Sequence, residues 1–149
     1  VTQSVADYGE FLPPSHRAYD PALAGGPLLD LGVYLFALAT DLAGEATALT
    51  ARGATVPGRG GEPVNGQLSA LLVFDGGARA ALAATMGGFT PATFTVVGTE
   101  AALVRDGPFN GPGGLTVRST DGTEPRWDGK PGSHMDGLLG IVYPGEQAP

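Results

Sequence analysis

Residues 24–44 read AGGPLLDLGVYLFALATDLAG, a long apolar run punctuated at both ends. Gly25-Gly26 breaks the preceding chain, and Pro27 suits the first helical position because its missing N–H would have no partner there. Gly44 stands where a left-handed C-terminal cap is expected, so the pattern predicts a helix over 27–44. Leu28, Leu29, Leu31, Val33, Leu35, Phe36, Leu38 and Leu42 fall almost all the way round it, which predicts burial on more than one side. Elsewhere the period is two. Residues 1–11 set Val1, Gln3, Val5 and Asp7 against Thr2, Ser4, Ala6 and Tyr8, a strand closed by Pro13-Pro14. Residues 46–56 read as a strand and 57–63, PGRGGEP, as a turn. The clearest strand is 64–74, where Val64, Leu68, Ala70, Leu72 and Phe74 oppose Asn65, Gln67 and Ser69. Asp75-Gly76-Gly77 then predicts a hairpin into the alanine-rich 78–89. Shorter strands follow at 94–97, 101–105 and 115–119, the last before an Asp121-Gly122 turn. About seven strands with one major helix give an α+β fold, a largely antiparallel sheet with the helix on one face.

The other face changes the picture. It would carry Leu71, Val73 and many alanines where an uncovered sheet normally shows polar residues. Such a surface wants a partner, and a second covering helix is not clearly present in the sequence.

Composition narrows the function classes. The 149 residues are 42% hydrophobic and 15% charged, a single domain by size with a real core. Glycine (25) and proline (13) make up about a quarter of the chain, which implies short elements and many turns. A net charge of −7 leaves no basic stripe for nucleic-acid phosphates. Without cysteine there is no disulfide, thiol nucleophile or thiolate metal site, and no His/Asp/Glu spacing suggests a metal. No signal peptide opens the chain, and the 27–44 helix reads as too short to span a membrane, so a cytoplasmic location follows by default.

Candidate chemistry gathers at the helix. Asp30 and Tyr34 are four residues apart and therefore share a helix face, roughly 5–6 Å from each other. Three readings compete: an acid favoured by the helix dipole beside a core tyrosine, a proton-handling pair, or a hydrogen-bonding pair that holds a polyol. The loop at 15–26 delivers His16, Arg17, Tyr19 and Asp20 towards the same place, as either a substrate-lining or an ordinary exposed loop.

The run 16–34, HRAYDPALAGGPLLDLGVY, resembles the signature of the C-terminal domain of the glucose–fructose oxidoreductase / inositol dehydrogenase (Gfo/Idh/MocA) family, roughly G-G-G-A-L-x-D-x-G-x-[HY]. Its tyrosine form is similar to the dihydrodiol dehydrogenase, glucose–fructose oxidoreductase and xylose dehydrogenase branch. Gly9-Glu10-Phe11, Gly98-Thr99-Glu100 and Asp106-Gly107-Pro108-Phe109 fit the same template in order, so the resemblance covers about 1–120 and leaves 121–149 as an irregular tail without the family's terminal helices. The resemblance implies an NAD- or NADP-dependent oxidoreductase acting on a CH–OH group of a sugar, cyclitol or diol. It implies Tyr34 as acid/base or polarising donor, Asp30 as the group orienting the substrate hydroxyl, and Arg17, His16 and Tyr19 as substrate-binding residues. It also implies burial of the open sheet face against a second subunit.

The other half of that chemistry is not legible here. No G-x-G-x-x-G follows a strand and opens a helix; Gly58-Arg59-Gly60-Gly61 and 107–114 lie between strands beside prolines. The family's Glu-Lys-Pro motif belongs to the nucleotide-binding domain, and the one lysine here is Lys130, in the tail. His134, in the same Gly-rich tail, reads as solvated. The chain therefore reads as an excised substrate domain whose partner is an N-terminal dinucleotide-binding domain, inactive in redox chemistry alone. The alternatives are a non-catalytic module, a sheet-mediated dimerisation or carbohydrate-binding domain, and an unrelated stand-alone enzyme. No nucleophile elbow supports the last.

Overall fold

A computed structural model describes residues 1–111 and 113–128. Among these the elements run β1 (Gln3–Gly9), a π-helical turn (Leu28–Gly32) leading into α1 (Val33–Ala43), then β2 (Ala46–Pro57), β3 (Pro63–Phe74), β4 (Arg79–Thr85), β5 (Phe94–Val97), β6 (Ala101–Arg105), β7 (Leu115–Ser119) and β8 (Arg126–Trp127). All eight strands form one sheet in the order β2-β3-β4-β1-β5-β6-β7-β8. The α+β architecture agrees with the alternating pattern, and β5, β6 and β7 begin and end where the sequence places them.

Two features of the sheet depart from the sequence reading. The first strand adds a parallel pairing to the largely antiparallel sheet: it enters the centre, parallel to β4 (Ser4 beside Ala80, Ala6 beside Leu82) and antiparallel to β5. Neither partner is a neighbour in sequence, so no local turn signal marks the pairing. The stretch read as an irregular tail contributes β8, which pairs Thr116 with Arg126 and Leu115 with Trp127. Lys130 and His134 lie outside the described residues.

The helix is buried along one stripe, not on several sides. Leu31, Leu35 and Ala39, spaced four apart, are covered, whereas Leu28, Leu29, Val33 and Leu42 remain 41–60% exposed. Among the described residues its apolar circumference packs on the inner face of the sheet. There Ala6 and Tyr8 of β1, Ala70, Leu72 and Phe74 of β3, and Ala80, Leu82 and Ala84 of β4 join Leu31 and Leu35 in one core. The small side chains of β4 bring the helix close, and Leu35 is wholly covered. Leu35→Ala is expected to cost about 3–5 kcal/mol in urea unfolding, the upper part of the range for such changes, because neighbouring alanines cannot swing into the void. A loss below about 1 kcal/mol would place Leu35 outside the core.

One helical run among the described residues, Pro21–Ala43, is long and apolar enough by composition to cross a membrane, a test that the core helix of a soluble protein also passes. It is not continuous: Ala24 (φ 55°) and Gly26 (φ 110°) break it. The part from Leu28 to Ala43 spans about 24 Å at 1.5 Å per residue, short of the ~30 Å hydrocarbon layer.

Two glycines set the entry to this helix. A Cβ on Gly25 would stand 2.8 Å from the carbonyl oxygens of Ala18 and Asp20. Gly26 has a φ that side-chain-bearing residues avoid, and its N–H donates to the Ala18 oxygen at 2.7 Å. The pair folds residues 15–20 back against the helix start, which brings that loop to Asp30.

Candidate active site

The first group of side chains surrounds Asp30, in the π-helical turn. Its N–H ladder is offset: Gly32 and Leu31 both donate to the Pro27 carbonyl, at 2.8 and 2.9 Å. Asp30 is therefore one turn before Tyr34 but not on a regular α-helical face with it. The Asp30 side chain is 16% exposed and forms a hydrogen-bonded ion pair with the guanidinium of Arg17. His16 approaches from the other side, Nδ1 to Oδ2 4.0 Å. That His16 nitrogen already accepts the Ala18 N–H at 3.2 Å, so the neutral ring carries its proton on Nε2 and has none to give Asp30. Asp20 is a separate anchor: it caps Ala22 at 3.0 Å and pairs with Arg59 at 3.0 Å. Arg59 also donates to the Ser15 carbonyl at 2.7 Å, fastening the loop to the β2–β3 turn.

The structure thus gathers Asp30, Arg17 and His16. Tyr19 goes elsewhere, its ring packed in a second small core with Leu12, Ala18, Val64 and Met86.

The second group surrounds Tyr34, on the first turn of α1 and 37% exposed. Its ring tilts against that of Tyr8, centroids 6.1 Å apart. Tyr8 is buried, meets Phe109 edge-on at 5.4 Å, donates its hydroxyl to Glu10 Oε1 at 2.8 Å, and accepts from the buried Asn110 side-chain amide. Burial, and then the hydrogen bond and charge of Glu10, push the Tyr8 phenol well above the ordinary tyrosine range; the Asn110 donor opposes them. Tyr8 is held neutral.

Phe109 and Asn110 come from the loop after β6, shaped by a buried arginine. Arg105 donates to the carbonyls of Asp106 (3.2 Å), Gly114 (3.3 Å) and Gly111, while burial lowers its pKa. Sequence reasoning missed Tyr8 and Asn110 as parts of the site. A tyrosine closing the covered face of a strand needs a partner for its hydroxyl, which was the available signal. One partner, Glu10, is two residues away; the other, Asn110, lies about a hundred residues away, and nothing local announces it.

No group of three or more metal-binding side chains occurs among the described residues. The Gly-rich Gly58–Gly61 segment is a turn between β2 and β3, not a strand-to-helix junction, so it does not fit a dinucleotide's phosphates. A shallow concavity lined by Gln3, Leu49, Thr50, Leu71 and Arg79 lies on the open side of the sheet, away from Tyr34.

Comparison with known proteins adds the family context. Residues 1–104 match the sequence profile of the GFO/IDH/MocA C-terminal domain. No curated protein matches the chain. Solved structures do. Aldose-aldose oxidoreductase from Caulobacter crescentus, complexed with glycerol, superposes with a TM-score of 0.73 at 24% identity, over 95% of this chain and 46% of that one. Levoglucosan dehydrogenase with NADH and levoglucosan gives 0.72 at 20% identity, over 85% and 39%. A 3-ketoreductase from Actinomadura kijaniata with NADP gives 0.71 at 20% identity, over 94% and 44%. At these identities the likeness is one of fold. The chain spans less than half the length of these proteins.

Proposed function

The chain belongs to the GFO/IDH/MocA family as a C-terminal domain, and from that premise we propose that it forms the substrate-binding and oligomerisation part of an NAD- or NADP-dependent oxidoreductase acting on a CH–OH group of a sugar, cyclitol or diol. The reading rests on one observation above all. The matched residues include both Asp30 and Tyr34, and the structure leaves Tyr34 partly open, one turn after an Asp30 clamped by Arg17.

In this reading Tyr34 holds or returns the proton of the reacting oxygen, and Asp30 accepts a hydrogen bond from a substrate hydroxyl. Arg17 acts through Asp30, since its guanidinium is engaged there; it keeps the carboxylate aimed. His16 stands 4.0 Å from the same carboxylate, and Tyr19 supports the loop by packing against the second small core. The nicotinamide supplies the hydride chemistry and is bound mainly by the nucleotide-binding domain; the Gly58–Gly61 turn of this chain does not fit its phosphates. The exposed Leu28, Leu29 and Val33 are the surface we assign to that nucleotide-binding half.

Titration of NADH and NADPH, read by nicotinamide fluorescence, tests the division of labour. Binding is expected for the protein extended by its upstream half and not for residues 1–149 alone. Binding by neither would favour the second reading, a sheet-mediated dimerisation or carbohydrate-binding module, whose support is the apolar row on the open sheet face.

A further inference from the structure

We infer that Tyr8 is a positioning residue for Tyr34, its ring held in place through a hydroxyl fixed between Glu10 and Asn110. The inference rests on the role proposed for Tyr34 and adds what holds that side chain in register.

The packing alone does not call for a hydroxyl at this position. Tyr8 is 6% exposed, inside the core beneath α1, and a phenylalanine would fill nearly the same volume. A buried phenol is tolerated only with its polar atom satisfied, and here both capacities are used: the O–H donates to Glu10 and the oxygen accepts from Asn110. The two partners come from distant segments, the residue just past β1 and the loop after β6. Phe109, 1% exposed, fixes the ring from its edge at an interplanar angle of 76°. Arg105 fixes the loop that carries Phe109 and Asn110 by gathering three of its carbonyls. Tyr8 therefore has little freedom to slide or turn, and Tyr34, part-exposed on the outside of the helix, tilts against it at 6.1 Å. A reacting group needs such a floor, because a misplacement of about 1 Å can cost on the order of 100-fold in rate.

Three variants in the full-length, nicotinamide-binding protein test this. Tyr8→Phe keeps the ring and removes the tie; Glu10→Ala removes the acceptor; Glu10→Gln restores an acceptor oxygen without the charge. The expected pattern is a roughly tenfold fall in kcat for the first two, with the nicotinamide KM unchanged, and recovery towards wild type in Glu10→Gln. A purely structural role predicts instead a lower Tm in Tyr8→Phe with kcat within twofold of wild type, and that result overturns the inference. The ring resonances of Tyr34 in ¹³C-tyrosine NMR give a readout separate from turnover. They are expected to move in Glu10→Ala and to return in Glu10→Gln. Unmoved resonances in Glu10→Ala would refute the positioning role even if turnover fell. Displaced resonances with undiminished turnover in Tyr34→Phe would instead refute the proposed chemistry of Tyr34.

Discussion

Tyr34→Phe in the full-length protein is expected to lower kcat by about 10²–10⁴-fold, the usual contribution of a positioned acid/base group. The change removes one oxygen and leaves the ring tilted against Tyr8, where the centroids now stand 6.1 Å apart. Stability should therefore move by no more than about 0.5 kcal/mol, as for other part-exposed positions. Nicotinamide binding is expected not to change, since the cofactor is assigned mainly to the other domain. The useful comparison is Asp30→Asn. It keeps the size of the side chain and removes the charge that Arg17 grips, so its effect should appear in substrate KM as well as kcat. Turnover by Tyr34→Phe within about threefold of wild type would sink the assignment and leave the tyrosine a structural residue.

The second large effect concerns assembly. Across the open face the strand register sets Thr50, Leu71, Ala81 and Val5 side by side in one row, with Thr95 continuing it on β5. Leu71 is 60% exposed and Val5 45%. The face is less uniformly apolar than composition suggested, since the neighbouring row runs Val73, Arg79 and Gln3. An apolar centre with a polar margin is the usual anatomy of a protein interface. If a second copy covers it, Leu71→Arg places an unpaired charge at the centre of the contact, a change that costs about 3–5 kcal/mol. The expected result is a dimer that weakens by roughly 10²–10⁴-fold, seen by sedimentation velocity across a micromolar concentration series. A wild-type protein already monomeric at those concentrations contradicts the proposed dimer face.

Legibility followed distance along the chain. Where the determinants are local, the sequence reading and the structure coincide: the Asp75-Gly76-Gly77 hairpin, the alternation of β3, and the end of the helix at Gly44, whose φ of 83° and ψ of −148° are nonetheless not those of the left-handed cap expected there. The pairing of β1 with β4 and β5 was hidden because those partners are separated from it by most of the domain. The helix was misjudged for another reason. Apolarity says which side chains gain from burial, not what is at hand to bury them, so Leu29 and Val33 read as core and stand in solvent. At the site, the motif around Asp30 and Tyr34 could be read directly, and the gathering of Arg17 and His16 followed from their loop. The Tyr8–Asn110 tie could not, since it depends on a loop whose path is set by the buried Arg105.

The π-helical turn at Leu28–Gly32 has a consequence for how this helix can vary. A regular helix turns about 100° per residue, so removing a single residue from that turn would rotate everything before it by roughly that angle relative to Tyr34. Asp30 and its arginine would swing off one flank of the phenol while every side chain kept its identity. Residue count in this turn is thus a dial on the angle between the carboxylate and the phenol, separate from residue type. Aligning this region with a relative that lacks the extra residue would match the letters and compare different faces.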